Sequence, residues 1–335
     1  MPLDAFAVAL AVALDPLAGT PYRTLGPLGA GGMGEVIEAE HLGLGRRVVV
    51  KLLHRHLDAW GNLADRMRLE GESLGYVEHP NVVAAVDRGR TCEGRPYLVM
   101  ERLYGRTLGE ELTARGPLPA GEAITLTSQA LDGLHAVHEA GIVHRDVKLE
   151  NVFVCDARPG LDRVVKLLDL GVAKLLPGSG PTPLAIATEE GVSMGTPRFF
   201  SPEQATGAAL DERSDVYAMG LVLYALLTGR TLFEHLRDVD ALLDAHARTL
   251  PEPPSRLVAL PAALDAAVLK ALAKRPEDRF ASAAAFACEL RRIGEAPARA
   301  ADQAEQPRGA RLFFTVMAAS FGLSVLATAV VHALG

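Results

Sequence analysis

From Asp215 to Gly229 the chain reads DVYAMGLVLYALLTG, a helical pattern apolar almost all round. A helix without a polar stripe must be enclosed on every side, by protein or by lipid. This one is too short and too interrupted to span a bilayer, so it belongs in the core of a helical body. Ala/Leu-rich helical patterns run from about Gly105 onward, among them GEAITLTSQALDGLHAVHEAG (Gly121–Gly141). Before that point the pattern changes. From Tyr22 to about Met100 short β-like runs alternate with turns. RRVVVKLL (Arg46–Leu53) is β-branched and bordered by glycine, and PYLVME (Pro96–Glu101) is another strand. Between them ADRMRLEGESLGYV (Ala64–Val77) is helix-like, with Met67, Leu74 and Val77 available for one buried face. The expected fold class is α+β, a sheet-rich first lobe over about residues 22–101 and a helix-rich second lobe over about 104–293. A chain of 335 residues is too long for one small core and suits two lobes.

Residues 1–21 begin MPLDAFAVALAVALDPLAG, apolar but without the basic start of a signal peptide, and Asp4 stands where positive charge is needed. They are expected to form an N-terminal extension packed on the first lobe. GEAPARAADQAEQPRGA (Gly294–Ala310) lacks apolar periodicity and reads as a flexible linker. From Leu312 to Leu334, LFFTVMAASFGLSVLATAVVHAL contains no Asp, Glu, Lys or Arg. At ~1.5 Å per residue such a run crosses a hydrocarbon core of ~30 Å, so a single C-terminal transmembrane helix is expected. Arg308 and Arg311 precede it and nothing basic follows, which would leave residues 1–311 in the cytoplasm. With only Gly335 beyond the run, no sensor domain is expected on the far side. The small residues of AASFGLS (Ala318–Ser324) permit close contact of two spans, which makes a homodimer a candidate assembly. The formal net charge of -7 offers no basic surplus for a phosphate backbone, so nucleic acid is not an expected partner. Cys92, Cys155 and Cys288 lie far apart without CxxC spacing and read as reduced, unpaired thiols.

The chemistry sits in short motifs. GAGGMGEV (Gly29–Val36) holds Gly29, Gly31 and Gly34 as GxGxxG, and glycines let a backbone approach phosphate closely. EVIEAEHL (Glu35–Leu42) after it looks like a strand, so the glycines cap a hairpin rather than open a Rossmann helix. Lys51 ends VVVK; a strand-end lysine is usually a solvated charge, but Glu70 on the next helical segment is spaced as an ion-pair partner. HRDVKLEN (His144–Asn151) is either a solvated turn or a catalytic loop. As a loop it offers Asp146 to accept a hydroxyl proton, Lys148 to balance γ-phosphate charge and Asn151 to bind a metal. LLDLG (Leu167–Gly171) adds Asp169, and the oxygens of Asn151 and Asp169 suit Mg²⁺. Each element alone is weak. Their order (glycine loop, strand lysine, helix glutamate, HRDxKxxN, DxG) is specific.

With these residues in place, the sequence resembles the eukaryotic-like, Hanks-type Ser/Thr protein kinases, over roughly Tyr22–Ile293. The resemblance continues through GTPRFFSPEQ (Gly195–Gln204), DERSDVYAMG (Asp211–Gly220) and KRPEDRF (Lys274–Phe280), and is nearest to bacterial membrane-anchored members. It implies a bilobal protein kinase-like fold that transfers the γ-phosphoryl group of ATP to Ser/Thr hydroxyls of proteins. Signalling from the cytoplasmic face of a membrane is implied too. ATP and Mg²⁺ are the implied cofactors, with Mn²⁺ an alternative. Lys51, paired with Glu70, would hold the α- and β-phosphates under a loop running Leu28, Gly29, Ala30, Gly31, Gly32, Met33 and Gly34. Met100 would be the gatekeeper, backbone groups of Glu101 and Leu103 would bind adenine, and Val36 and Phe153 would sandwich the base. Asp146 would orient and deprotonate the substrate hydroxyl, Asn151 and Asp169 would carry the metal, and Thr196 would contact Asp146 and Lys148. Asp215 would support the catalytic loop and Glu203 would pair with Arg279, both as scaffold.

The departures fall off the chemistry. Leu149 stands where proline is usual, Leu170 where phenylalanine is, Val49 where alanine is, and Ser201 at the start of the APE motif. None removes a charge or a metal ligand. Arg145 before Asp146 implies pairing with an activation-loop phosphate, for which Thr182, Thr188 and Ser193 are candidates. Glu190, two residues after Thr188, would supply a standing negative charge. A pseudokinase would lack Lys51, Asp146 or Asp169, and a small-molecule kinase would lack GTPRFFSPEQ, which the resemblance associates with peptide docking; all are present.

Overall fold

The computed structural model describes residues 15–31, 34–53, 75–157, 163–169 and 197–305. Alternation of side chains builds the first lobe. Strand β3 (Arg46–Leu53) lies between β2 (Gly34–His41) and β5 (Pro96–Glu101). With β1 (Tyr22–Gly31) and β4 (Ala85–Arg90) they form an antiparallel sheet ordered β1-β2-β3-β5-β4. Successive side chains leave opposite faces of a strand. Val48, Val50 and Leu52 therefore share one face with Ile37, Ala39, Tyr97 and Val99, closed over by Leu17 and Tyr22. Val49 and Lys51 leave the other face, opposite Met100 and Leu98. There Leu98 and Met100 pack with Leu53, Val77, Val82, Val83 and Val137, the last from the helical lobe. Gly31 pairs with Gly34 at the β1–β2 turn. Glycine is required at 34, because a Cβ there would sit 2.3 Å from the Leu52 carbonyl oxygen.

The described part of the N-terminal extension packs on this lobe. Leu17 is fully buried, and the Asp15 carboxylate accepts from the Thr24 hydroxyl at 2.6 Å and the Leu17 N–H at 2.9 Å. Residues 1–14 lie outside the described residues, as does the helix expected from Ala64 except at its end, where Val77 is buried.

The second lobe starts with β6 (Gly105–Thr107) and α1 (Leu108–Arg115), joined by a capping box between Thr107 and Glu110. Helix α2 (Ala120–Glu139) follows, then β7 (Val152–Cys155), β8 (Val165–Leu167), α3 (Pro202–Thr206) and α4 (Glu212–Thr228). The last helices are α5 (Val239–Arg248), α6 (Ala262–Ala271) and α7 (Ala283–Glu305). Every residue of α4 from Ser214 to Thr228 is buried, as its all-round apolar pattern requires. Strands β6, β7 and β8 form a second, small sheet. The lobes are stitched at Asn81–Val83: the Leu167 N–H donates to Asn81 O (2.8 Å) and the Val83 N–H to Leu167 O (2.9 Å).

The chain divides into two units, residues 1–291 and 292–335. The segment 294–310, expected to be a flexible linker, is helical as far as Glu305. Its alanines, with Glu, Gln and Arg, are strong helix formers, and this outweighs Pro297, which removes one backbone donor. Among the described residues no helix is long and apolar enough to cross a membrane; the run 312–334 lies outside them.

The α4–α6 contact gives a test. A Cβ on Gly220 would lie 2.9 Å from the Ala271 Cβ, so Gly220→Val must force the helices apart. Urea unfolding should show a loss of about 1–3 kcal/mol, with no gain from the added apolar bulk.

Candidate active site

Lys51 leaves β3 on the face turned to the helical lobe, and its ammonium lies 3.0 Å from Asp169 Oδ1. Asp169 follows β8, whose pairing with β7 places Val152 opposite Leu167. The Leu168 N–H then donates to Asn151 O at 2.8 Å, which sets the Asn151 and Asp169 backbones side by side. Asp169 has φ of 46°, a left-handed conformation that aspartate tolerates better than most residues. Burial opposes its charge, and the Lys51 ammonium more than offsets this, holding the carboxyl below its ordinary range.

The HRDVKLEN stretch is a loop fastened from beneath. Asp215, 1% exposed in α4, accepts from the His144 N–H, the Arg145 N–H and His138 Nε2, each at 2.8 Å. His144 Nε2 faces Leu168 O at 3.1 Å. A carbonyl only accepts, so Nε2 carries the proton and Nδ1 accepts the Asp146 N–H at 3.4 Å. Above this base, Lys148 Nζ lies 3.0 Å from Asp146 Oδ2, and Asn151 Nδ2 donates to Asp146 Oδ2 (3.1 Å) and Asp146 O (2.8 Å). Leu149 is buried in the short turn Leu149–Asn151, packed toward Gly109 at the start of α1. The departure from proline is thus an apolar plug. Burial pulls the Arg145 guanidinium below its ordinary range, with Asp215 opposing.

The residues expected on the nucleotide side lie along the sheet. Gly29 pairs with Val36, Val36 with Lys51, and Lys51 with Leu98, so one row crosses four strands. A Cβ on Gly29 would meet nothing within 4 Å, leaving open space beside β1, where Leu28 and Ala30 flank it. Met100 is buried and Leu103 packs on the same inner cluster. The Glu101 N–H is committed to Ala84 O, and its carboxylate takes the Ala84 N–H and the Lys166 ammonium. Phe153 stands on β7 opposite Thr107 and Lys166. Gly32, Met33, Glu70, Thr182, Thr188, Ser193 and Thr196 lie outside the described residues, and so do the expected Lys51–Glu70 pair and the Thr196 contacts.

The donor set fits a hard cation. Asn151 spends its amide N–H₂ on Asp146, which leaves its side-chain oxygen as an acceptor, and Asp169 supplies a carboxylate. Among the described residues no cluster of three or more His, Cys, Asp or Glu could cage a metal alone. A hard cation held by these two residues would complete its shell with phosphate and water.

Several working residues escaped the sequence reading. His138, the third donor to Asp215, carries no local signal. Lys166, bridging to Glu101 and Val82 O, reads as an ordinary strand lysine. Gln204 was quoted within SPEQ, and its spacing from Ser201 is a capping-box signature that could have been read directly.

The protein kinase domain family matches residues 22–289. The serine/threonine-protein kinase Pkn1 of Myxococcus xanthus is 43% identical over 278 residues, covering 82% of this chain and 39% of that protein. PknB of Mycobacterium tuberculosis is 40% identical over 276 residues, covering 81% of this chain and 42% of its own length. Among solved structures, the kinase domain of Mycobacterium tuberculosis PknI is similar with a TM-score of 0.63 and 25% identity, over 82% of this chain and 96% of that one. The chain belongs to the protein kinase domain family. It spans about two-fifths of the length of these two curated relatives.

Scaffold and chemistry separate cleanly at Glu203. Its carboxylate meets Arg279 at 2.7 and 2.8 Å and the Ser214 hydroxyl at 2.6 Å, all buried. Burial works against the Glu203 charge, and these partners outweigh it, so the carboxyl titrates below its ordinary range. Such a carboxylate stabilises the fold fully above the unfolded value of ~4.3, and the contribution is lost as pH falls through the folded value. Glu203→Ala leaves the Arg279 charge unpaired, at a cost of about 3–5 kcal/mol. Denaturant unfolding across pH should also show a shallower acid limb in the variant.

Proposed function

We propose that the chain is a serine/threonine protein kinase that transfers the γ-phosphoryl group of ATP to hydroxyls of proteins. The observation that carries this is the placement of Asp146, Lys148 and Asn151 on one loop held by Asp215, with Lys51 and Asp169 paired across the cleft. In this reading the substrate hydroxyl oxygen attacks the γ-phosphorus, its bond to the β–γ bridging oxygen breaks, ADP leaves, and the hydroxyl proton passes to Asp146. Lys148, 3.0 Å from Asp146, balances charge on the γ-phosphate, and Lys51 holds the α- and β-phosphates. Mg²⁺, held by Asn151 and Asp169, would neutralise charge building on the phosphoryl oxygens. Glu70 is the proposed partner of Lys51 when nucleotide is bound, and Thr196 that of Asp146. The names of the relatives support Ser/Thr over Tyr specificity.

Labelled ATP decides the matter. Wild-type protein should label itself and a generic protein substrate, and Asp146→Asn should lose at least about 10²-fold. Equal labelling by the two would overturn the reading.

We further propose that residues 312–334 anchor the kinase domain to a membrane, with the domain on the cytoplasmic side, supported by the uncharged run and by Arg308 and Arg311 before it. A homodimer through AASFGLS belongs to the same proposal. The full chain should float with liposomes while a chain ending at Ala310 stays in the soluble fraction; flotation of neither rejects the anchor. Thr188 is the proposed site of activating autophosphorylation, with Glu190 as a standing charge. Peptide mapping of fully active protein should find phosphate on Thr188, and its absence there rejects that assignment.

A further inference from the structure

Helix α3 is capped reciprocally. The Gln204 N–H donates to Ser201 Oγ at 3.3 Å, and the Ser201 N–H donates to Gln204 Oε1 at 3.0 Å. Glutamate and glutamine serve this motif equally well. Here the side chain has a second contact, because Gln204 Nε2 donates to Arg145 O at 2.9 Å. The amide cannot be turned round: flipped, its N–H₂ would face the Ser201 N–H and its oxygen would face a carbonyl. A carboxylate has no hydrogen to offer Arg145, so the pair of contacts selects glutamine.

Arg145 O belongs to the peptide that leads into Asp146. Arg145 has φ of 63°, left-handed and unfavourable for a residue with a Cβ. Its N–H is held by Asp215 Oδ1 at 2.8 Å and its carbonyl by Gln204. The other polar atom of that peptide, the Asp146 N–H, faces His144 Nδ1. The helix that carries Gln204 is itself tied to the core through Glu203 and Arg279. The direction in which Asp146 leaves the backbone is thereby set from α3 as well as from α4.

We propose that Gln204 is a positioning residue for phosphoryl transfer: it holds the Arg145–Asp146 peptide so that the Asp146 carboxylate meets the substrate hydroxyl. The proposal rests on the kinase reading above. Gln204→Glu preserves the cap and removes the donor to Arg145. Asp238→Ala removes the exposed cap of α5, whose carboxylate accepts the Ala241 N–H at 2.8 Å, and serves as a control that loses stability away from the loop.

In the full chain, Gln204→Glu should lower kcat at least about tenfold, with KM for ATP within about twofold and Tm within ~2 °C of wild type. Asp238→Ala should lower Tm by roughly 2–4 °C and leave kcat unchanged. A kcat within about twofold of wild type in Gln204→Glu, or an equal kcat loss in both variants, overturns the proposal. An inactive wild type overturns the kinase reading instead. The link is then read without catalysis, by amide exchange over His144–Lys148. Exchange about tenfold faster in Gln204→Glu than in the other two proteins supports it, and equal exchange in all three rejects it.

Discussion

A carboxylate placed inside an apolar helix is the constraint on which the rest of the structure depends. Asp215 sits in the most enclosed element of the fold, where an unpaired charge would cost several kcal/mol. Its three donors come from two places: the end of α2, through His138, and the backbone just before Asp146. The core helix can be buried only while the loop is in place, and the loop is in place only while the helix is buried. Folding of the helical lobe and assembly of the loop are therefore one event. This also explains why Arg145 can keep a left-handed backbone. The cost of that conformation is small beside the cost of stranding the Asp215 charge.

From this base the two lobes are joined by hydrogen bonds near the cleft rather than by a flexible strap alone. Asn81 and Val83 exchange backbone bonds with Leu167, and Lys166 reaches across to Glu101 and Val82 O. Leu167 lies two residues before Asp169, and Glu101 one residue after Met100. The segment that positions the candidate metal ligand is thus connected to the segment that borders the expected adenine pocket. Lys51 and Asp169 then meet across the remaining gap.

Much of this was legible in the sequence because the decisive patterns are local. The β-branched run RRVVVKLL marked the strand that carries Lys51. The all-round apolar run after Asp215 gave the buried helix. Spacing alone placed Asp146, Lys148 and Asn151 on one loop. Long-range pairings were less legible: nothing near His138 or Lys166 announces partners so distant in the chain. Gln204 was overlooked for another reason, since its capping pattern was visible but its second contact depends on the fold bringing Arg145 alongside. The helix after Gly294 was not legible because the segment lacks apolar periodicity, although its alanines are strong helix formers. Glu70, Thr196 and the candidate phosphosites lie outside the described residues, so the readings made for them stand as proposals.

The outer face of the sheet carries one more implication. Leu17 is fully buried among Tyr22, Ile37, Val48, Val50 and Val99, and Asp15 ties its own turn back to Thr24. The family match begins at Tyr22, beyond both residues. The physical edge of the folding unit is therefore at or before Asp15. A domain trimmed to the family boundary would open an apolar patch on the back of its own sheet, and a loss of solubility there would say nothing about the cleft on the opposite face.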